Sequence, residues 1–211
     1  MTQYVPENPL IVQGDHTVLV EVDSPRYEAA RDELARFAEL VKSPEHIHTY
    51  RITPLSIWNA CAARTSTEEI AATLCRYSKY DVPAHVLQEV RDYASRYGRL
   101  CLERRAEGLV LRAADEPLAE EVCRNKHVAP LLGQRQSKLE FLVEPATRGK
   151  LKQALVKIGF PAEDLAGYCD GDPLPIQLRA TTGGGVPFGL RGYQQEAAAI
   201  FHAGGSERGG S

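Results

Sequence analysis

The sequence lacks the features that would assign it to a membrane, secreted or zinc-binding class. It has no run of about 18 apolar residues, the length that crosses a bilayer. Its first residues lack the basic region and apolar core of a secretory signal, so we expect a cytoplasmic protein. The cysteines form no CxxC pair, which predicts reduced thiols rather than a zinc ribbon or a disulfide framework. They are Cys61, Cys75, Cys101, Cys123 and Cys169.

Catalytic signatures are missing as well. No GxSxG nucleophile motif occurs, and no GxxxxGK[ST] loop is present to bind the phosphates of a nucleotide. His46 and His48 form an HxH pair, but no nearby residues complete the ligand set that a metal requires. The sequence therefore predicts neither a catalytic residue nor a metal site.

What the sequence does contain is the composition of a globular protein with an uneven charge distribution. Of its 211 residues, 43% are hydrophobic and 25% are charged, which is ordinary for a chain that buries its own core. Residues 1–90 carry a net charge of −5 and residues 161–211 carry −3. Residues 91–160 have 14 Lys and Arg against 9 Asp and Glu, a local charge of +5. Such a basic region indicates either a surface for phosphates or a solvated face beside acidic neighbours.

Apolar spacing predicts an α+β fold that begins with a hairpin and a helix in residues 1–52. Two β-branched runs flank the turn dipeptide Gly14-Asp15, which is typical of a hairpin. Ser24 and Pro25 are expected to open a helix whose apolar stripe continues to Val41, and a short strand should follow at residues 49–52.

Residues 53–112 have the element order of a winged helix. Three short helices are predicted, the second opened by the capping box of Ser66 and Glu69 and the third ended by Gly98. A hairpin over residues 99–112 follows. In a winged helix the third helix and the hairpin meet DNA. The candidate DNA contacts are then Arg91, Arg96, Arg99, Arg104 and Arg105.

The same pattern also fits a protein-docking module, because a fold does not determine its function. Residues 113–180 are predicted to form a second small α/β unit, with helices at 118–128 and 147–158 and strands at 139–143 and 175–179. Residues 181–211 are expected to be a glycine-rich linker followed by a helix.

Residues 190–194, Leu-Arg-Gly-Tyr-Gln, resemble the Q motif that recognises adenine in superfamily 2 helicases. A glutamine amide can donate and accept hydrogen bonds, which matches N7 and the N6 amino group of adenine. The resemblance implies that Arg191 and Gln194 contact adenine. Gly192 stands where the family pattern would have proline.

Further blocks resemble the N-terminal domain of bacterial XPB-type helicases, in the family's order from about Asn8 onward. They are residues 53–60, 76–80, 95–100, 124–126 and 159–162. The resemblance implies an ATP-dependent DNA helicase of 3′ to 5′ polarity that acts in nucleotide excision repair. It also implies ATP and Mg²⁺ as cofactors of the full-length family, and DNA, motor domains in the same chain and a nuclease or other repair protein as partners. Because the sequence ends before the expected ATP-binding loop, we predict that this chain is inactive alone.

Overall fold

The computed structural model describes residues 4–167 and 179–201. They belong to two units of the chain, residues 1–168 and 169–211. The predicted strand at 175–179 falls almost wholly outside the described residues. Within the described ranges, no helix is both long and apolar enough to cross a lipid bilayer.

The first unit begins with a four-stranded antiparallel sheet in the order β1-β2-β4-β3. The hairpin predicted around Gly14-Asp15 is confirmed, since Leu10 pairs with Val20 across it. Val18, Val20 and Tyr50 alternate with exposed or half-buried neighbours and point to the core. The strands are β1 (Leu10–Val12), β2 (Thr17–Glu21), β3 (Glu39–Lys42) and β4 (Ile47–Arg51).

The first helix is shorter than its apolar stripe predicts. Helix α1 covers Tyr27–Leu34, and β3 occupies the stretch in which Val41 was expected to continue the helix. The prediction was wrong there because the pairing of β3 with β4 outweighs the helical spacing of the apolar residues up to Val41. Val41 is consequently exposed, whereas Phe37 is buried in the turn between the two elements.

Three helices follow as predicted, and their ends explain why. They are α2 (Pro54–Ala62), α3 (Thr67–Tyr77) and α4 (Ala84–Ala94). Thr53 and Ser66 each accept a hydrogen bond from a backbone N–H in the first turn that follows, and both make complete capping boxes. Gly98 has φ +77°, the left-handed conformation that ends the turn after α4. Ile57, Leu74 and Val90 on these helices share one buried cluster with the first sheet.

A second sheet, of order β7-β6-β5-β8, forms the rest of the first unit. Its predicted hairpin is confirmed with Leu100 opposite Ala113, and its last strand pairs in parallel with β5, Leu100 lying opposite Ala162. The strands are β5 (Leu100–Arg105), β6 (Gly108–Ala113), β7 (Glu140–Val143) and β8 (Ala162–Asp164). Two helices, α5 (Glu116–Arg124) and α6 (Arg148–Lys157), contribute Leu118 and Leu151 to its core.

The winged-helix-like unit over residues 53–112 is not confirmed. In such a unit the hairpin would share a core with the three helices. Instead, the helices pack with the first sheet, while Leu102 and Leu111 of the hairpin belong to a separate cluster with α5 and α6. The hairpin is held by β7 and β8 on its two sides, so it is part of a sheet rather than a free wing.

The described part of the second unit, residues 179–201, contains a small hairpin and one helix. Residues 181–185 were expected to be a flexible linker, but the N–H of Thr182 donates to Val186 O at 2.8 Å and the N–H of Phe188 donates to Ala180 O at 2.8 Å. Gly185, with φ +76°, supplies the left-handed residue of a short hairpin loop. Helix α7 (Gly192–Phe201) then begins where the sequence predicted a helix.

Candidate nucleic-acid interface

Two of the predicted arginines lie over one aromatic ring. The guanidinium carbons of Arg96 and Arg99 are 5.7 Å and 5.9 Å from the centre of the Phe160 ring, within the range of a cation–π contact. Gly159, at φ +84°, lets the chain pass close to Arg96, since a Cβ there would lie 2.9 Å from Arg96 Nη1. The ring therefore holds two positive charges together at the end of α4.

The two guanidinium groups differ in what else they bind. Arg99 donates to Asp115 Oδ2 at 2.5 Å, while the other oxygen of that carboxylate caps α5 by accepting from Leu118 N–H at 2.9 Å. The backbone N–H of Leu118 and then Arg99 hold the pKa of Asp115 below its usual value. Within residues 4–167 and 179–201, Arg96 has no carboxylate at ion-pair distance.

Arg104 and Arg105 lie at the far end of the hairpin. Arg104 lies five positions after Arg99, about 17 Å along the backbone at the rise of an extended strand. Arg105 donates to Glu103 at 3.0 Å and to Glu140 at 2.8 Å, so its charge is neutralised on the sheet face. Arg104 is exposed and donates to the carbonyl oxygen of Ala166 at 3.3 Å.

A cross-strand network pairs two arginines of the basic stretch with carboxylates, so these two charges do not add to a free basic surface. Glu103 also accepts two bonds from Arg112, at 3.0 and 2.9 Å. These bonds, from Arg105 first and then Arg112, lower the pKa of Glu103. Arg91, in contrast, is exposed on α4 and has no ion-pair partner among the residues that the structure describes.

Sequence reasoning missed Phe160 and Lys157. Residues 159–162 were noted for their family resemblance, but the ring was not recognised as a support for two arginines. Lys157, at the end of α6, lines one cavity of about 350 Å³ together with Arg96. These residues are about 60 positions apart in sequence, and no local pattern could have joined them.

In the second unit, Arg191 and Gln194 lie at the start of α7. The side-chain oxygen of Gln194 accepts from the backbone N–H of Arg191 at 3.0 Å, half of the reciprocal bonding found in a capping box. The amide nitrogen of Gln194 has no partner among the described residues. The same unit exposes a set of apolar side chains, namely Val186, Phe188, Leu190, Tyr193 and Ile200.

Comparison with known proteins assigns the class. Residues 10–137 match the family described as "Helicase conserved C-terminal domain". The match covers more than half of the chain, including the first sheet, the three helices and the hairpin of the second sheet. The chain belongs to this helicase family.

The relatives within that class are XPB proteins, which confirms the resemblance seen in the sequence. The chain is 50% identical over 201 residues to the DNA 3'-5' helicase XPB of Mycobacterium tuberculosis, covering 95% of this chain and 36% of that protein. It is 51% identical over 201 residues to the protein of the same name from Kineococcus radiotolerans, covering 95% and 35%. The XPB helicase/translocase subunit of general transcription and DNA repair factor IIH from Antonospora locustae is 34% identical over 114 residues, covering 54% of this chain and 17% of that protein. The chain thus spans about a third of the length of its bacterial relatives.

Proposed function

We propose that this chain is the DNA-engaging part of an XPB-type, ATP-dependent 3′ to 5′ helicase that acts in nucleotide excision repair. In this proposal it binds the DNA backbone and positions the motor on the duplex. The observation that carries the proposal is the placement of Arg96 and Arg99 over Phe160, with the Arg96 guanidinium free of any described carboxylate.

The chemistry of this surface favours phosphate over bases. A guanidinium is a fixed fork of donors that matches two phosphate oxygens. Phe160 restricts the motion of both guanidinium groups before DNA binds. Less side-chain entropy is therefore lost when they contact phosphate. Contacts to phosphate position a protein on DNA without reading its sequence. Apart from the charged end of α4, we assign no described helix to a groove of the DNA.

The remaining predicted arginines differ in how far their charge is available to DNA. Arg91 and Arg104 are exposed and carry their charge to solvent, whereas Arg105 already serves two carboxylates. We expect Arg91, Arg96, Arg99 and Arg104 to make more of the phosphate contacts than Arg105.

Fluorescence anisotropy on a short labelled duplex across a salt series tests the proposal. Each lost phosphate contact should flatten the slope of log affinity against log salt by about 0.9. Arg96→Ala and Arg104→Ala should each produce this change on every DNA sequence alike. Arg51→Ala, an exposed arginine of the first sheet, is the matched control and should leave the slope unchanged.

The double variant Arg104→Ala/Arg105→Ala should weaken binding to all sequences and flatten the slope by about one to two units. Most of that loss should come from Arg104 if the pairing of Arg105 with Glu103 and Glu140 persists on DNA. Binding that ignores salt, Arg96→Ala and the double variant would remove the DNA role from this surface.

The second unit is proposed to join the motor domains of the same chain and to contribute adenine recognition through Arg191 and Gln194. A carbonyl oxygen has two lone pairs. Gln194 can therefore keep its bond to the Arg191 N–H while it accepts from the adenine N6 amino group and donates to N7. The exposed Phe188 and Tyr193 give this unit an apolar surface for the motor to cover.

A second candidate function, docking of a repair protein such as a nuclease, is favoured by one observation. Leu55 on α2 is 45% exposed and lines a shallow apolar cavity of about 330 Å³ with Val156 of α6. An apolar docking face would hold its partner with little dependence on salt, unlike a phosphate contact. Partner binding that survives high salt and is lost in Leu55→Glu would favour this function over the first.

A further inference from the structure

A separate cavity opens on the first unit, away from Phe160, between the N-terminal segment and the end of α3. It has a volume of about 370 Å³ and shares no lining residue with the cavities that Arg96 lines. Its lining includes Asn8, Arg26, Cys75, Arg76, Ser78 and Tyr80. A volume of this order is that of a small-molecule site.

Two guanidinium groups in this cavity, those of Arg26 and Arg76, have no carboxylate within ion-pair distance among the described residues. Arg26 bonds only neutral acceptors, the side-chain oxygen of Asn8 and the carbonyl oxygen of Arg76, and stacks on Tyr77 at 4.8 Å. The guanidinium of Arg76 has no ion-pair partner among the described residues. Asp81 also lines the cavity, so the three charged side chains leave a net charge of one positive unit. Two nearby like charges favour a bound anion.

Asn8 and Ser78 add polar groups to the lining of the cavity. Asn8, 3% exposed, donates both amide hydrogens, to Arg76 O at 2.9 Å and to Ser78 O at 2.8 Å. It therefore holds the backbone that carries Arg76 and Ser78. Ser78 is 5% exposed, and its hydroxyl has no hydrogen-bond partner among the described residues. Buried hydroxyls are usually satisfied, and one that is not is a donor for an incoming acceptor.

An aromatic surface stands at the mouth of the cavity. Tyr80 lines it, is 46% exposed, and lies 5.3 Å from Tyr4 with the two rings tilted by 30°. Exposed aromatic rings beside arginines are the usual means of holding a nucleic-acid base and its phosphate without sequence preference.

We propose that this cavity binds one nucleotide unit, with its phosphate between Arg26 and Arg76 and its base against Tyr80. The phosphate supplies the anion that the two guanidinium groups lack, and Tyr80 supplies a face on which any base can stack. The unit is either a free mononucleotide or one nucleotide of a single DNA strand, because both present the same phosphate and base. The site is independent of the interface at Phe160.

Cys75 provides a reporter of occupancy at the site itself. It is a free, exposed thiol that lines the cavity, and a bound ligand should slow its alkylation. The rate is measured by peptide mass spectrometry after a timed maleimide pulse, with thymidine monophosphate, inorganic phosphate or a single-stranded oligothymidylate present. Protection by thymidine monophosphate identifies a free nucleotide as a ligand, and protection by the oligonucleotide alone identifies a DNA strand.

Variants separate the two contacts. Arg76→Ala should weaken binding of the ligand that protects Cys75 about tenfold or more, because it removes a charged hydrogen-bond donor. Arg76→Lys should recover part of the lost affinity. Tyr80→Leu should weaken nucleotide binding severalfold or more through lost stacking. The control Arg96→Ala should leave protection of Cys75 unchanged while it flattens the salt slope for duplex DNA.

Two results would overturn the proposal. One is a Cys75 alkylation rate that none of the three ligands changes at millimolar concentration. The other is protection by inorganic phosphate equal to that by the nucleotides and indifferent to Tyr80→Leu, which would leave an anion pocket without a base. Neither result bears on the duplex interface, because that interface is tested separately by the effect of Arg96→Ala on the salt slope for duplex DNA.

Discussion

The indole N–H of Trp58 on α2 donates to the backbone carbonyl oxygen of Tyr93 on α4 at 2.8 Å. Trp58 is 4% exposed, and this partly buried bond ties the middle of α2 to the last turn of α4. That last turn leads directly to Arg96, and the bond therefore helps to fix the charged end of the helix.

We expect Trp58→Phe to destabilise the protein by about 1–3 kcal/mol, the cost of leaving a buried carbonyl without its donor. Trp58 is the only tryptophan of the chain, so the variant has no tryptophan fluorescence with which to monitor unfolding. Urea unfolding is therefore monitored by far-UV circular dichroism. Tyr93→Phe is the matched control. It removes a hydroxyl that bonds Glu89 at 3.3 Å but keeps the carbonyl acceptor, so its effect should be smaller. Equal losses in both variants would contradict the assignment.

Asp115 links a helix cap to the candidate interface, and two substitutions separate its roles. Asp115→Ala removes the cap of α5 and should cost about 0.5–2 kcal/mol of unfolding free energy. Asp115→Asn keeps an acceptor for the Leu118 N–H but loses the negative charge beside Arg99. It should therefore cost less stability and tighten duplex binding at low salt, because Arg99 is released for phosphate. Weaker DNA binding by Asp115→Asn, with the fold intact, would count against Arg99 as a contact.

Asp164 on β8 should contribute a pH-dependent part of the stability. Burial raises its pKa, but the hydrogen bonds and charges of Arg148 and Lys152 outweigh burial and hold the pKa below its usual value. A carboxyl whose pKa is lower in the folded state stabilises that state above its unfolded pKa, near 4. The contribution is lost as the pH falls through the folded value.

Accordingly, Asp164→Asn should lower the free energy of unfolding by about 2 kcal/mol at pH 6. The gap to the unsubstituted protein should shrink when urea unfolding is repeated below pH 4. Asp92→Asn, an exposed carboxylate bonded to Gln88, is the control and should show little effect at either pH. A gap that stays constant down to pH 3 would show that the charge of Asp164 is not what stabilises β8.

We expect no ATP hydrolysis by this chain and at most very weak binding of adenine nucleotides. In our proposal Gln194 selects the base, but the 211 residues contain no GxxxxGK[ST] loop to hold the charged end of the nucleotide. The assay is phosphate release with Mg²⁺ and duplex DNA, measured against a mock purification. Steady turnover above that control, abolished by Gln194→Ala, would refute the expectation.

Local chemistry was enough to predict most elements of the fold. The capping box of Ser66 and Glu69 and the left-handed Gly98 act within a few residues, and α3 and the end of α4 lie where these signals put them. Strand β3 was missed because its state depends on pairing with β4, which is a tertiary contact. The winged helix was inferred from element order alone, and order does not determine which residues share a core.

The candidate site was predictable to the same extent. Arg96 and Arg99 stand out as charges at a helix end, but their shared ring, Phe160, is about 60 residues away in sequence. The neutralisation of Arg105 by Glu140 also depends on the register of two strands. Charge counts predict that a region is basic, and only the packing of side chains shows which of the charges face solvent unpaired.

The parallel pairing of β5 with β8 joins two segments that are synthesised at different times. The first hydrophobic cluster is complete once Val90 has been synthesised, and domains generally fold from the N-terminus as they emerge. One edge of β5 is covered at once by β6, yet its other edge waits for Ala162, about 60 residues later. On the ribosome the first core can therefore form early. The Phe160 ring, over which Arg96 and Arg99 lie, is among the last parts of the first unit to be assembled.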